Sequence, residues 1–314
     1  MGIGGSIIDQ QFMEEYLGLR VESVDEVEIL RRMEEGIYDH EAYEKALEEI
    51  SADEELRYNT SMDYFKNNGR DYSEEDMRNE MKVNDYITTA YMSGEDYVVI
   101  AGDFGGLWDG SQKDQYWLDW LNKKPFTTLF VDGNHENFDL LNTLPEKEWN
   151  GGRVHVVREH VLHLMRGQVF DFGGLTWFTM GGAASHDIQD GILDPADPDF
   201  EHRYWLMRRM RSMFRVKGVS WWAEEMPSQA EYQEALANLE RVNWTVDCVL
   251  THCAPSGVVQ EINPSYGTDE LTDFLEMVSQ RCKFAYWFFG HYHENRIIDQ
   301  KYILQWEKIS ELGF

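Results

Sequence analysis

Four short apolar runs in the later part of the chain each end abruptly in residues able to hold a cation. Tyr97 to Ile100 (YVVI) runs into AGDFGG, Thr128 to Val131 (TLFV) into DGNHE, Cys248 to Leu250 (CVL) into THCAP, and Tyr286 to Phe289 (YWFF) into GHYHEN. Asp103 supplies a carboxylate, Asn134 an amide oxygen, and His252, His291 and His293 imidazoles. A mixed oxygen and nitrogen set of this kind suits manganese, iron or zinc, and no thiolate belongs to it. The glycines beside these donors, Gly102, Gly105, Gly106, Gly133 and Gly290, let the backbone turn sharply and pass close to a metal or a phosphate.

The same runs indicate the elements that must position the donors. A short continuous apolar run is the pattern of a strand covered on both faces. In α/β sheets, functional groups gather just beyond the carboxyl ends of such strands, where neighbouring loops converge. The earlier part of the chain reads differently. Acidic residues crowd Asp9 to Asp96, and apolar residues at Val27, Ile29, Leu30 and Met33, then Tyr43, Ala46, Leu47 and Ile50, recur at helical intervals. These are amphipathic helices, the first capped by Asp25, with a loop around Asn67 to Arg70.

Composition sets outer bounds. The 314 residues are 42% hydrophobic, enough for a substantial core, and 14% aromatic with eleven Trp, which argues against disorder. No window approaches the run of about 18 apolar residues that a membrane helix requires. MGIGGS matches a myristoylation pattern only superficially, and no basic segment precedes an apolar stretch as in a secretory signal. Cys248, Cys253 and Cys282 form neither a paired framework nor a C-x-x-C motif, which fits inert thiols in a reducing cytoplasm. A net charge of -30 disfavours nonspecific binding to nucleic acid or to an anionic membrane.

GDFGG, GNHE, the single His of THCAP, and GHYH, in that order, resemble the second to fifth signature blocks of the calcineurin-like metallophosphoesterases. The resemblance runs from about Gly94 to the C-terminus. It implies an α/β domain over 93–314, a sandwich of two sheets flanked by helices, after an acidic, mainly helical segment over 1–92. It further implies two divalent metal ions, expected to be Mn2+ with Fe or Zn as alternatives. Asp103 would bridge them, Asn134, His252 and His291 would complete one, and His293 would bind the other. His135 would sit near the leaving group as general acid or as a stabiliser of phosphoryl charge, with Glu136 or Asp132 as candidates to orient it. The implied reaction is hydrolysis of a phosphate mono- or diester, on a small molecule or a protein, by a metal-bound hydroxide. A nucleic acid remains open as a substrate.

The family's first block, Asp-x-His, occurs nowhere in the chain. The first metal would keep only Asp103 and His293, so one ion rather than two is an open alternative. A catalytically impaired metal-binding or interaction module on the same fold therefore stands beside the enzyme reading. Val83 to Tyr91, VNDYITTAY, has the β-branched and aromatic content of a replacement strand. In place of the missing segment, the first fifty residues or so resemble an internal stretch of the L-fucose isomerase family, most clearly at IYDHEAYEKAL, fading toward Asn79. That family's acidic ligands and catalytic histidine have no matching segment here, which argues against isomerase activity. The chain reads as a fragment of one enzyme fused to a phosphoesterase.

Three further features have bland readings beside sharper ones. His186, in GGAASHD, either reaches the phosphate pocket or is satisfied locally in its loop. The basic and aromatic stretch from His202 to Trp222 has a nucleic-acid reading through Arg208, Arg209, Arg211 and Arg215, but in so acidic a chain it is expected to be a helix packed on the core with an arginine face, one arginine of which could meet a substrate anion. His155, His160 and His163 fall in a strand region and read as structural.

Overall fold

A computed structural model describes residues 92–306. The expected N-terminal helices and the candidate replacement strand Val83 to Tyr91 lie outside the described residues. The four apolar runs are strands, and the register of the second begins and ends one residue earlier than its sequence pattern suggests. Strand β1 (Tyr97–Ile100) lies parallel to β2 (Thr127–Phe130), pairing Tyr97 with Thr127 and Ile100 with Phe130. With β3 (Glu146–Trp149), β4 (Gly152–Arg158) and β5 (Val161–Leu164) they form a five-stranded sheet in the order β1-β2-β5-β4-β3. The chain then crosses to a second sheet through the antiparallel pair β6 (Gln168–Phe172) and β7 (Leu175–Met180).

An excursion of two parallel three-residue strands, β8 (Gly191–Leu193) and β9 (Phe214–Val216), interrupts that sheet in sequence. It resumes with β10 (Cys248–Thr251), β11 (Tyr286–Phe289), β12 (Arg296–Ile298) and β13 (Tyr302–Leu304), six strands in the order β12-β13-β11-β10-β7-β6. These elements belong to one compact unit that takes in 97–123 and 127–306. Tyr97 and Trp149 of the first sheet meet Phe172 of the second, at ring separations of 5.2 and 5.8 Å.

Helices cover the outer faces, which is why the strands can be apolar on both sides. Helices α1 (Gln112–Asn122) and α2 (Phe138–Leu141) close the first sheet, burying Leu118, Phe138 and Leu141 with Phe130 and Val161. Asp114, buried in α1, accepts from the amides of Trp108, Asp109 and Gly110 at 2.7, 2.8 and 2.9 Å, and so ties down the loop after β1. Helix α3 (Phe200–Met210) sits between β8 and β9. Helices α4 (Gln229–Arg241), α5 (Ser256–Ile262) and α6 (Glu270–Arg281) close the second sheet through Ala235 and Leu239, Val258 and Val259, and Leu271 and Leu275, in one core with Trp287 and Phe289. Capping boxes start two of them, Ser228 with Glu231 and Asp269 with Thr272.

The stretch from His202 to Trp222 departs from its expected single core-packed helix. Helix α3 ends at Met210, Arg211 closes it at φ 56, and β9 follows. No residue of α3 is buried, and Trp205 and Met210 are 65% and 68% exposed. The physical reason is local: a ribbon of two three-residue strands offers no face wide enough to bury a helix.

Candidate metal centre

The loops that follow β1, β2, β10 and β11 meet at one edge of the two sheets. Backbone bonds lace them together: Val131 N–H donates to Ile100 O at 3.2 Å, and Gly290 N–H to His252 O at 3.0 Å. Gly182, in the loop after β7, donates to Asp132 O at 2.8 Å. Within this frame Asp103 Oδ1 lies 3.4 Å from His252 Nε2, which lies 3.3 Å from Asn134 Oδ1. Donors about 2.1 Å from a shared ion sit roughly 3.0 to 3.4 Å apart, so this trio has the spacing of a coordination sphere. Among the described residues no three His, Cys, Asp or Glu side chains meet at one point. The third donor here is an amide oxygen.

Each donor is aimed by a partner behind it. His252 Nδ1–H donates to Ala101 O at 2.7 Å, which fixes the tautomer and turns the Nε2 lone pair toward the oxygens. Asn134 Nδ2–H donates to Ser185 Oγ at 3.2 Å, leaving its Oδ1 to face the site. Ser185 is itself held by buried Glu225, through its amide at 3.0 Å and its hydroxyl at 2.6 Å. Gly133 has no room for a side chain, because a Cβ there would overlap Asp103 Oδ1 and crowd His252 Nε2. Asp103, His291 and His293 adopt left-handed backbone at φ 53, 69 and 51, a rare state for residues with side chains.

Opposing effects of burial and neighbouring charge set the electrostatics here. Burial would raise the Asp103 pKa, but the His252 charge and hydrogen bond outweigh it and hold the carboxyl below its ordinary range. Burial would lower His252, but Asp103 wins and raises it. Burial, then the neighbouring rings of His252 and His186, hold His291 well below the usual imidazole value. Burial, then Asp103, push Glu136 up to about 8.

His135 sits on the rim, its amide donating to Asp103 Oδ1 at 2.9 Å. Neither candidate for orienting its ring does so. The Glu136 carboxylate accepts from the amide of Phe104 at 2.8 Å, and Asp132 is bound by Arg166 and His163. Those backbone and buried-charge demands leave neither acid free to turn outward. The ring instead faces Arg215 of β9, whose guanidinium lies 3.3 Å from His135 Nε2 and donates to Asp187 at 2.8 Å. Arg215 was legible only as one of several arginines in a basic stretch, since a short ribbon rather than helix periodicity carries it inward. His186, in the adjoining loop, places Nε2 2.8 Å from Nε2 of His291. His293 is exposed and its ring stacks on Trp306 at 5.7 Å.

The family model described as calcineurin-like phosphoesterase matches residues 78–295, more than half of the chain and every loop just described. The chain belongs to the calcineurin-like phosphoesterase family. The model for the second N-terminal domain of L-fucose isomerase matches residues 1–136 and so overlaps the phosphoesterase match, reaching further than the fading near Asn79 suggests. Among curated relatives, several L-fucose isomerases match this chain over a short segment. The L-fucose isomerase of Phocaeicola vulgatus is 74% identical over 47 residues, that of Bacteroides thetaiotaomicron 66% and that of Streptococcus pneumoniae 62% over the same length. These segments are 15% of the phosphoesterase chain and 8% of each relative.

Proposed function

We propose that this protein hydrolyses a phosphate mono- or diester at a centre held by Asp103, Asn134, His252 and His291. The observation that carries the reading is the trio Asp103, His252 and Asn134, spaced at 3.4 and 3.3 Å, beneath an imidazole and a guanidinium. Divalent metal, taken here as Mn2+, supplies charge neutralisation of the phosphoryl oxygens and an acidified water when bound. The chain's own residues do the rest. Asp103 stays ionised because His252 stabilises its charge. Burial and Arg215 hold His135 below the ordinary imidazole range, although Asp103 opposes them, and Nε2 accepts from the guanidinium. A phosphoryl oxygen entering the site takes that guanidinium donor for itself, and its negative charge favours protonation of His135. The imidazolium then donates its proton to the departing oxygen.

Purified protein supplied with Mn2+ is expected to hydrolyse an aryl phosphate monoester or diester, and Asp103→Asn to abolish this. Turnover that survives Asp103→Asn, or none above a metal-only blank, would contradict the assignment. The second reading, a catalytically impaired metal-binding module, draws on one observation: His293 stacks on Trp306 at the surface, and no Asp-x-His stands in the sequence to join it. Metal binding without turnover is its signature.

A further inference from the structure

Glu225 ends a single 3-10 turn, Ala223–Glu225, and is 3% exposed. Both oxygens of its buried carboxylate turn to one residue: Oε1 accepts from the Ser185 amide at 3.0 Å and Oε2 from the Ser185 hydroxyl at 2.6 Å. A contact of that length is the mark of a hydroxyl donating to an ionised carboxylate. Having given its one proton to Glu225, Ser185 Oγ can only accept from its other neighbour, the Asn134 side-chain nitrogen at 3.2 Å. The far end of the amide, Oδ1, is left 3.3 Å from His252 Nε2.

The carboxylate is fixed from behind. Ala183 N–H donates to Glu225 O at 3.2 Å, the Arg166 guanidinium donates to Glu224 O at 2.8 Å and to Glu225 O at 3.4 Å, and a Cβ on Gly182 would lie 2.6 Å from Glu225 O. The same guanidinium binds Asp132, in the loop that carries Asn134, so one buried cation holds both ends of the chain of hydrogen bonds. A carboxamide has two orientations of nearly equal shape, and only its hydrogen-bond partners tell them apart. We propose that Glu225 is a positioning residue for Asn134, acting through Ser185 to keep the amide oxygen toward His252. A neutral glutamine at 225 can give Ser185 Oγ a hydrogen instead. The hydroxyl proton then turns to Asn134, which meets it by presenting oxygen there and nitrogen to His252. The consequence for metal binding rests on the phosphoesterase reading, in which Asn134 Oδ1 is a ligand; the orientation of the amide does not.

The test is the side-chain amide NMR signal of Asn134 in metal-free, full-length 15N-labelled protein, assigned by its loss in Asn134→Asp. Glu225→Gln and Ser185→Ala are expected to shift that signal, and Ser185→Thr, which keeps the hydroxyl, to leave it near the wild-type position. Glu225→Gln is also expected to weaken Mn2+ binding, followed by electron paramagnetic resonance, by about ten- to hundred-fold. In an Asn134→Ala background the same change should add less than about two-fold, because the residue through which Glu225 acts is gone. Near-UV circular dichroism verifies that the variants keep the fold, and Ser185→Ala carries the test where Glu225→Gln does not fold. An Asn134 signal unmoved by these variants, or an undiminished loss of Mn2+ affinity in the Asn134→Ala background, overturns the proposal. A signal that shifts as expected in a chain that binds no Mn2+ upholds the positioning role and overturns the metal-dependent reading alone.

Discussion

At φ 53, 69 and 51, Asp103, His291 and His293 hold a backbone state that costs of order 1 to 3 kcal/mol per residue unless the surroundings impose it. Other residues outside the site share this state, such as Asn150 and Trp244, but Gly133 has no space for a Cβ between Asp103 and His252, so the loop after β2 is shaped for the donors' positions. Arg215 acts beyond that inner set. Its guanidinium touches both Asp187 and His135, so it can exchange either partner for an incoming phosphoryl oxygen. Arg215→Ala is expected to lower kcat/KM for an aryl phosphate by about ten- to hundred-fold, as loss of a charged hydrogen bond predicts, and to weaken inhibition by inorganic phosphate. Arg215→Lys should restore little of it, because a point charge does not reproduce the fork. Steady-state kinetics with phosphate as inhibitor measure both effects, and equal phosphate inhibition in Arg215→Ala would remove the residue from substrate binding.

The element that presents Asn134 and His135 rests on buried charge. Asp132, 1% exposed, accepts from Arg166 at 2.9 and 2.5 Å and from His163 Nε2–H at 3.0 Å, and His163 Nδ1 lies 3.0 Å from His155 Nδ1. This chain of contacts links β4, β5 and the loop after β2, and it gives the strand histidines the structural role their spacing suggested. Arg166→Ala leaves the Asp132 carboxylate buried without its partner, so urea unfolding should show a loss of about 3 to 5 kcal/mol. A loss below about 1 kcal/mol would mean that the pair carries little of the loop's stability. Burial, then the His163 ring, hold His155 at about 4 against an ordinary 6.5. As pH falls through 6.5 the unfolded chain takes up a proton there, while the folded chain does not until about 4, so stability is lost across that window. The urea midpoint of the wild type should therefore drop more between pH 7 and pH 5 than that of His155→Gln, and parallel curves would refute the linkage.

Across the whole molecule, the strands and the donor order were legible because apolar runs covered on both faces leave a local signature, and each donor follows its strand in sequence. The partners of those donors were not. Glu225 behind Ser185, Arg215 beside His135 and His186 beside His291 are brought together by loops from separate strands, and no spacing in the sequence records that. Helix α3 was misread because four arginines among aromatics look like one amphipathic face, whereas the short ribbon beneath it has nothing to cover. The segment matching L-fucose isomerase spans 8% of those relatives. Among the described residues no helix is long and apolar enough to cross a membrane. The central claim, that the convergence of Asp103, Asn134, His252 and His291 is a metal centre, is tested most directly by elemental analysis of protein equilibrated with Mn2+ and freed of excess. The account predicts about one to two equivalents per chain, falling to well below one in Asp103→Asn. A wild-type chain that retains no metal, or an Asp103→Asn chain that retains as much as the wild type, would contradict it.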